Sequence, residues 1–138
     1  MTVQFNHTIV WCRDKDASSR FLTGALGLPP ARPFLHFMVV QLSNRVSLDF
    51  METTSEVSPQ HYAFQVTDDE FDDVLARLRS QSQAIWADPA RTLRDELNYR
   101  FNGRGFYFVD PDGHLLECLT AAPEIPSRDQ ARQEAGLP

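Results

Sequence analysis

Two stretches of this chain open in the same way. FNHTIVWC at 5–12 and QHYAFQV at 60–66 each put a histidine at the head of an alternating segment. Each then runs at once into an acidic helix start. A unit that recurs cannot bury its apolar face alone, so the repeat predicts two modules sharing one core. In the first stretch His7, Ile9 and Trp11 share one strand face, and Thr8, Val10 and Cys12 the other. DKDASSRFLTGALGL then reads as a helix, with Asp14 or Asp16 as its cap and Ala17, Phe21, Leu22 and Ala25 as its stripe. Gly27 suits its end. FLHFMVVQL and RVSLDFM follow as two strands, with Ser43 and Asn44 turning between them. ETTSEVSPQ lacks periodicity and reads as a linker.

The order then restarts. His61, Ala63 and Gln65 take one face, and Tyr62, Phe64 and Val66 the other. TDDEFDDVLARLRS predicts a helix with a Thr67/Glu70 capping box and a stripe of Phe71, Val74, Leu75 and Leu78. AIWA reads as a short strand and residues 88–102 as a long loop. RGFYFV and HLLECL read as strands joined by a turn at Asp110, Pro111, Asp112 and Gly113. Placing His7 on His61 also sets Val10 on Phe64, Asp14 on Asp68 and Phe21 on Leu75. The remainder, from residue 123, is polar and expected to be peripheral.

Charge narrows the function. A net charge of -6 with no Lys/Arg run argues against nucleic acid as a partner. No apolar run reaches the roughly 18 residues a membrane span needs, and the start lacks the pattern of a secretory leader. Cys12 and Cys118, each in an apolar run, are expected to be buried free thiols in a reducing cytoplasm.

The chemistry is expected where the repeat places its histidines. His7 and His61 hold equivalent positions and would face a shared cavity. Glu117 stands between Leu115 and Leu119 on one strand face, where an ionised carboxylate needs a partner. Two imidazoles and a carboxylate with open positions form a set that holds a divalent metal. Asp49 is the first-module counterpart of Glu117 and a possible fourth ligand. His114, beside the turn, is expected to be exposed, and His36 has no assigned role.

FNHTIVWCRDKDASSRFLTGALGLP, HYAFQVTDDEFDDVLARLRS and GRGFYFVDPDGHLLECLT together resemble the vicinal oxygen chelate superfamily, over residues 5 to about 120. That group holds glyoxalase I, bleomycin- and fosfomycin-resistance proteins and extradiol dioxygenases. The resemblance implies an α+β fold of two βαβββ modules forming an incomplete barrel around a central cavity, often completed in a homodimer. The domain would span 1–122, as module one at 1–52, a linker at 53–58 and module two at 59–122, with a tail at 123–138. Its metal ligands fall on His7, His61 and Glu117, with Asp49 nearest the place where glyoxalase I adds a glutamate. The ion would be one of Fe, Mn, Ni or Zn.

Trp11, Phe37 and Tyr99 are candidate walls for a small-molecule ligand, with Trp86 and Tyr107 in second rank. Arg104 is a candidate partner for an anionic substrate group. The loop 88–102 is long enough to serve as a lid. The function implied is a metal-dependent enzyme acting on a small oxygen-bearing substrate. The alternative is a bleomycin-resistance-like protein that sequesters an aromatic molecule without chemistry.

Overall fold

The computed structural model describes residues 2–137, so Met1 and Pro138, the outer ends of the expected domain and tail, lie outside the described residues. Strands β1 (His7–Cys12), β2 (Arg32–Phe34), β3 (Phe37–Gln41) and β4 (Ser47–Glu52) form one sheet in the order β1-β4-β3-β2. Strands β5 (His61–Gln65), β6 (Gly105–Val109) and β7 (Leu115–Leu119) form a second, in the order β5-β7-β6. β1 pairs with β4 and β5 with β7 in parallel; β3 pairs with β4 and β6 with β7 antiparallel. The two halves are thus βαβββ-like modules whose mixed sheets do not close into a barrel.

Two strand expectations change. FLHFMVVQL is a hairpin rather than one strand: Leu35 takes φ 52 and the chain turns at Leu35–His36 between β2 and β3. AIWA is not a strand. Trp86 alone exchanges backbone bonds with Tyr107, at 2.9 and 2.7 Å, and so takes the place at the edge of β6 that β2 takes beside β3.

Helix α1 (Lys15–Leu26) starts at Asp14, whose carboxylate accepts from Ala17 N at 3.0 Å, and stops at Gly27, φ 67. Its buried side is rotated from the expected stripe. Ser18, Ser19, Leu22, Thr23 and Ala25 are buried, whereas Ala17 is exposed and Phe21 half-buried. Buried hydroxyls need partners, and these have them. Ser18 Oγ donates to Asp112, Ser19 Oγ to Asp16 O and Thr23 Oγ1 to Arg20 O. Helix α2 (Asp68–Ser80) carries the predicted capping box and buries Phe71, Val74, Leu75 and Leu78.

Both helices and the inner sheet faces close one core, including Val10, Phe50, Phe64, Phe71, Phe106 and Phe108. Cys12 and Cys118 are in it as free, buried thiols, as expected. The DPDG turn fastens the modules together. Asp112 accepts from Arg13 N and Ser18 Oγ at the start of α1. His114 is buried, not exposed: its ring contacts Trp11 O at 2.8 Å and accepts from Gln60 N at 3.0 Å. A buried imidazole with both nitrogens engaged is a structural crosslink. α3 (Arg128–Glu134) in the tail has no buried residue. Among the described residues no helix is long and apolar enough to cross a membrane.

Candidate metal and substrate site

Each sheet has a second face, away from the helices, and the candidate residues lie there. Alternation along β1 sends Val10 and Cys12 into the core and leaves His7, Ile9 and Trp11 exposed. The registers then define rows. In the first sheet Ile9 pairs with Asp49 and Asp49 with Val39. In the second, Ala63 pairs with Glu117 and Glu117 with Tyr107. Asp49 and Glu117 therefore hold equivalent positions, each opposite the residue two beyond the module's histidine.

Within one chain the structure brings His61 and Glu117 together. His61 Nε2 lies 3.1 Å from Glu117 Oε1. The His61 side chain is 49% exposed, so the pair keeps an open side. Tyr107 stands over it, its ring centroid 5.9 Å from that of His61. Burial, then the charge of Glu117, pushes the Tyr107 phenol up, and Arg100 opposes that shift.

His7 stays apart. Its Nδ1 contacts Asn6 Oδ1 at 2.7 Å, and Asp49 accepts from Ser47 Oγ at 2.8 Å. Among the described residues no three His, Cys, Asp or Glu side chains are grouped closely enough to hold a metal ion. The imidazole and carboxylate of His61 and Glu117 fit two positions of a divalent site, and further ligands must come from elsewhere.

A pocket of about 460 Å³ adjoins Glu117, lined among others by Gln65, Arg100, Phe101, Tyr107 and Leu119. Of the expected wall residues, Trp11 is 43% and Tyr99 71% exposed, and Phe37 and Trp86 are half-buried. Arg104 is engaged within the fold. Its guanidinium bonds Asp68 and Asp72 at the start of α2, at 3.0 and 2.7 Å, and lies 4.4 Å from the Phe71 ring centroid. Arg100, which lines the pocket, carries no sequence expectation. Two arginines flank one glycine in RFNGRG, and only the acidic start of α2 distinguishes the arginine it binds from the one it leaves.

The loop before the pocket is pinned. Asp88 accepts from Thr92 N, Thr92 Oγ1 and Leu93 N, which holds its carboxyl below the usual range.

The fold agrees with the comparisons. The family model of the glyoxalase/bleomycin resistance protein/dioxygenase superfamily matches residues 4–118. The chain belongs to this superfamily. Among solved structures it resembles Oxidase ChaP-H1, with 52% identity and a TM-score of 0.87 over 88% of this chain and 98% of that one. Metallothiol transferase FosB of Lysinibacillus sphaericus (strain C3-41) is 30% identical over 126 residues, 87% of this chain and 84% of that protein. Glutathione transferase FosA of Serratia marcescens is 35% identical over 77 residues, and the match covers 48% of its length, about half of this curated relative.

Proposed function

We propose that this protein is a metal-dependent oxidative enzyme for a small, oxygen-bearing substrate, and that it works as a homodimer. In this reading His61 and Glu117 of one copy hold the metal together with His7 of a second copy. The observation that carries it is the His61–Glu117 pair, 3.1 Å apart on an open strand face. Its partner face is equally open: Ile9 and Trp11 beside His7 are 37% and 43% exposed. Apolar strand faces and free sheet edges of this kind need cover. The likeness to an oxidase over nearly its whole length supports the oxidative class.

A divalent ion bound there would supply Lewis acidity to substrate oxygens. The chain's own residues do the rest. Tyr107, whose phenol lines the pocket beside Glu117, would turn its hydroxyl from that carboxylate to a substrate oxygen. Phe101 and Leu119 exclude water from one side of the pocket. Trp11 and Phe37 of the second copy form the opposite wall. The free thiols fit a reducing cytoplasm.

Titration of the purified protein with Fe(II) or Zn(II) in a calorimeter at neutral pH tests this reading. One ion per chain, on a species of twice the 15.7 kDa chain mass in sedimentation, is expected. With no ion bound, sequestration of an aromatic molecule becomes the better reading.

A further inference from the structure

The geometry points to Arg100 as the residue that selects the substrate: it takes a substrate bearing an anionic oxygen, a carboxylate or phenolate, next to the oxygens held at His61 and Glu117. This inference rests on the reading of that pocket as the substrate site. Four observations carry it.

Arg100 lines the same pocket as Glu117 and Tyr107. It has no ion pair with a carboxylate among the described residues, whereas Arg104, four residues on, is bound to Asp68 and Asp72. Tyr107, which lines the pocket with Arg100, sits directly beside Glu117 in the sheet, so the guanidinium shares the pocket with that pair. A guanidinium at a pocket wall without a protein carboxylate is a ready fork for a ligand carboxylate or phenolate.

The fourth observation is the effort the backbone makes to hold it there. Residues Arg100–Asn102 form a single 3-10 turn in which Phe101 and Asn102 take φ 56 and 58. Phenylalanine rarely adopts the left-handed region, and such residues cluster where a surrounding structure fixes them for a purpose. Here the fixing is visible. Gly103 N donates to Arg100 O at 2.9 Å. A side chain at Gly103 would come within 2.7 Å of Ala121 Cβ and 2.8 Å of Thr120 Oγ1, so glycine lets the turn lie against the end of β7. Asn98 and Gly105 exchange both backbone bonds at 2.9 Å, and Asn98 Nδ2 donates to Ala87 O. The turn is held at both ends, and Arg100 and Phe101 are carried over the pocket on it.

The test compares two probes that differ in one charge: 3-hydroxy-2-naphthoate and its neutral alcohol analogue 3-(hydroxymethyl)-2-naphthol. Affinities are measured by fluorescence on the full chain, once loaded with Zn(II) and once treated with chelator. Arg100→Gln should weaken the carboxylate probe by about tenfold in both states, the scale of one lost charge-assisted bond, and leave the neutral probe within about twofold. Arg100→Lys, which keeps the charge and loses the fork, should fall between.

The unfolding midpoint should not change in either variant, because the side chain is exposed, and both variants should still bind one Zn(II) per chain. If the wild type binds no Zn(II) but the Arg100-dependent preference persists, the metal reading falls and this one stands. If Zn(II) binds and Arg100→Gln leaves both probes unchanged, or if the wild type binds neither probe, this inference is overturned.

Discussion

The two open sheet faces are built on one plan and finished differently. On both, a histidine begins the first strand and a carboxylate stands opposite the residue two further on: Asp49 opposite Ile9, Glu117 opposite Ala63. In the second sheet the residue paired with the histidine is Leu115, which has no polar atom, and Glu117 turns to His61. In the first sheet that position is Ser47, whose hydroxyl takes Asp49, and the shorter carboxylate leaves His7 to Asn6. One methylene and one hydroxyl thus separate a face with a paired donor set from a face with a lone imidazole. Around them the surroundings diverge too. Tyr107 and the 100–102 turn cover part of the second face, and Ile9 and Trp11 leave the first apolar and bare. One face carries polar donors, the other an imidazole beside exposed apolar side chains.

The largest effect should come from breaking each face in turn. His61→Ala or Glu117→Gln should weaken divalent-metal binding by more than about 100-fold, since even outer residues around a metal site are worth 10 to 100-fold. His7→Ala should do the same in the dimer. Mixing unfolded His7→Ala and His61→Ala chains and refolding them together should restore binding to about a quarter of the sites, because a mixed dimer keeps one complete set. Calorimetry on the mixture reads this directly. No recovery would mean that the faces do not meet across copies.

Next in size is the joint between the modules. His114→Ala leaves Gln60 N–H and Trp11 C=O without their partner at a part-buried joint. The cost should be about 3 kcal/mol of unfolding free energy, summed over two orphaned backbone groups and a small cavity. Urea denaturation measures it, and a loss under 1 kcal/mol would show that the turn is not the fastening. A smaller effect is expected at the bare face. Trp11→Asp should raise the dimer dissociation constant by about 30-fold, the scale of an aromatic anchor at an interface, with the unfolding of each chain little changed. Sedimentation over a concentration series checks it.

Much of this was readable in the sequence, because alternation and helix periodicity report burial directly. The equivalence of His7 with His61 and of Asp49 with Glu117 follows from the repeat, and the strand registers bear it out. The α2 stripe and capping box were legible for the same local reason. What was not legible depended on distant partners. The apolar stripe includes Ala17 and passes over Ser18, because nothing local shows that Asp112, 94 residues away, accepts from the serine hydroxyl and lets it be buried. His114 looked like a turn residue until two backbone groups, one from each module, were seen to meet it. Arg104 reads as a candidate substrate partner in the sequence because nothing local says that Asp68 and Asp72 will take it.

The smallest effect concerns the inner faces, where the two sheets agree. Cys12 on β1 and Cys118 on β7 both point into the core, and burial pushes each thiol up to about 12. The charge of Asp112 adds to the shift at Cys12 and that of Glu117 at Cys118. A thiol raised in the folded chain favours folding fully below its unfolded value near 9, and that contribution is lost as pH climbs from 9 towards 12. Stability should therefore be flat from pH 7 to 8.5 and begin to fall between 9 and 10. The window stops there because the phenols of Tyr62 and Tyr107, also raised by burial, join the slope at higher pH. Replacing both cysteines by alanine should flatten that first segment and lower stability throughout. The same shift makes the thiolate scarce at pH 8, so iodoacetamide should label the folded chain at least about 100-fold more slowly than the denatured one. Equal, slow labelling at both sites is the expected result. Fast labelling at Cys12 alone would show that the first sheet opens independently of the second, and would extend the difference between the two faces into the core.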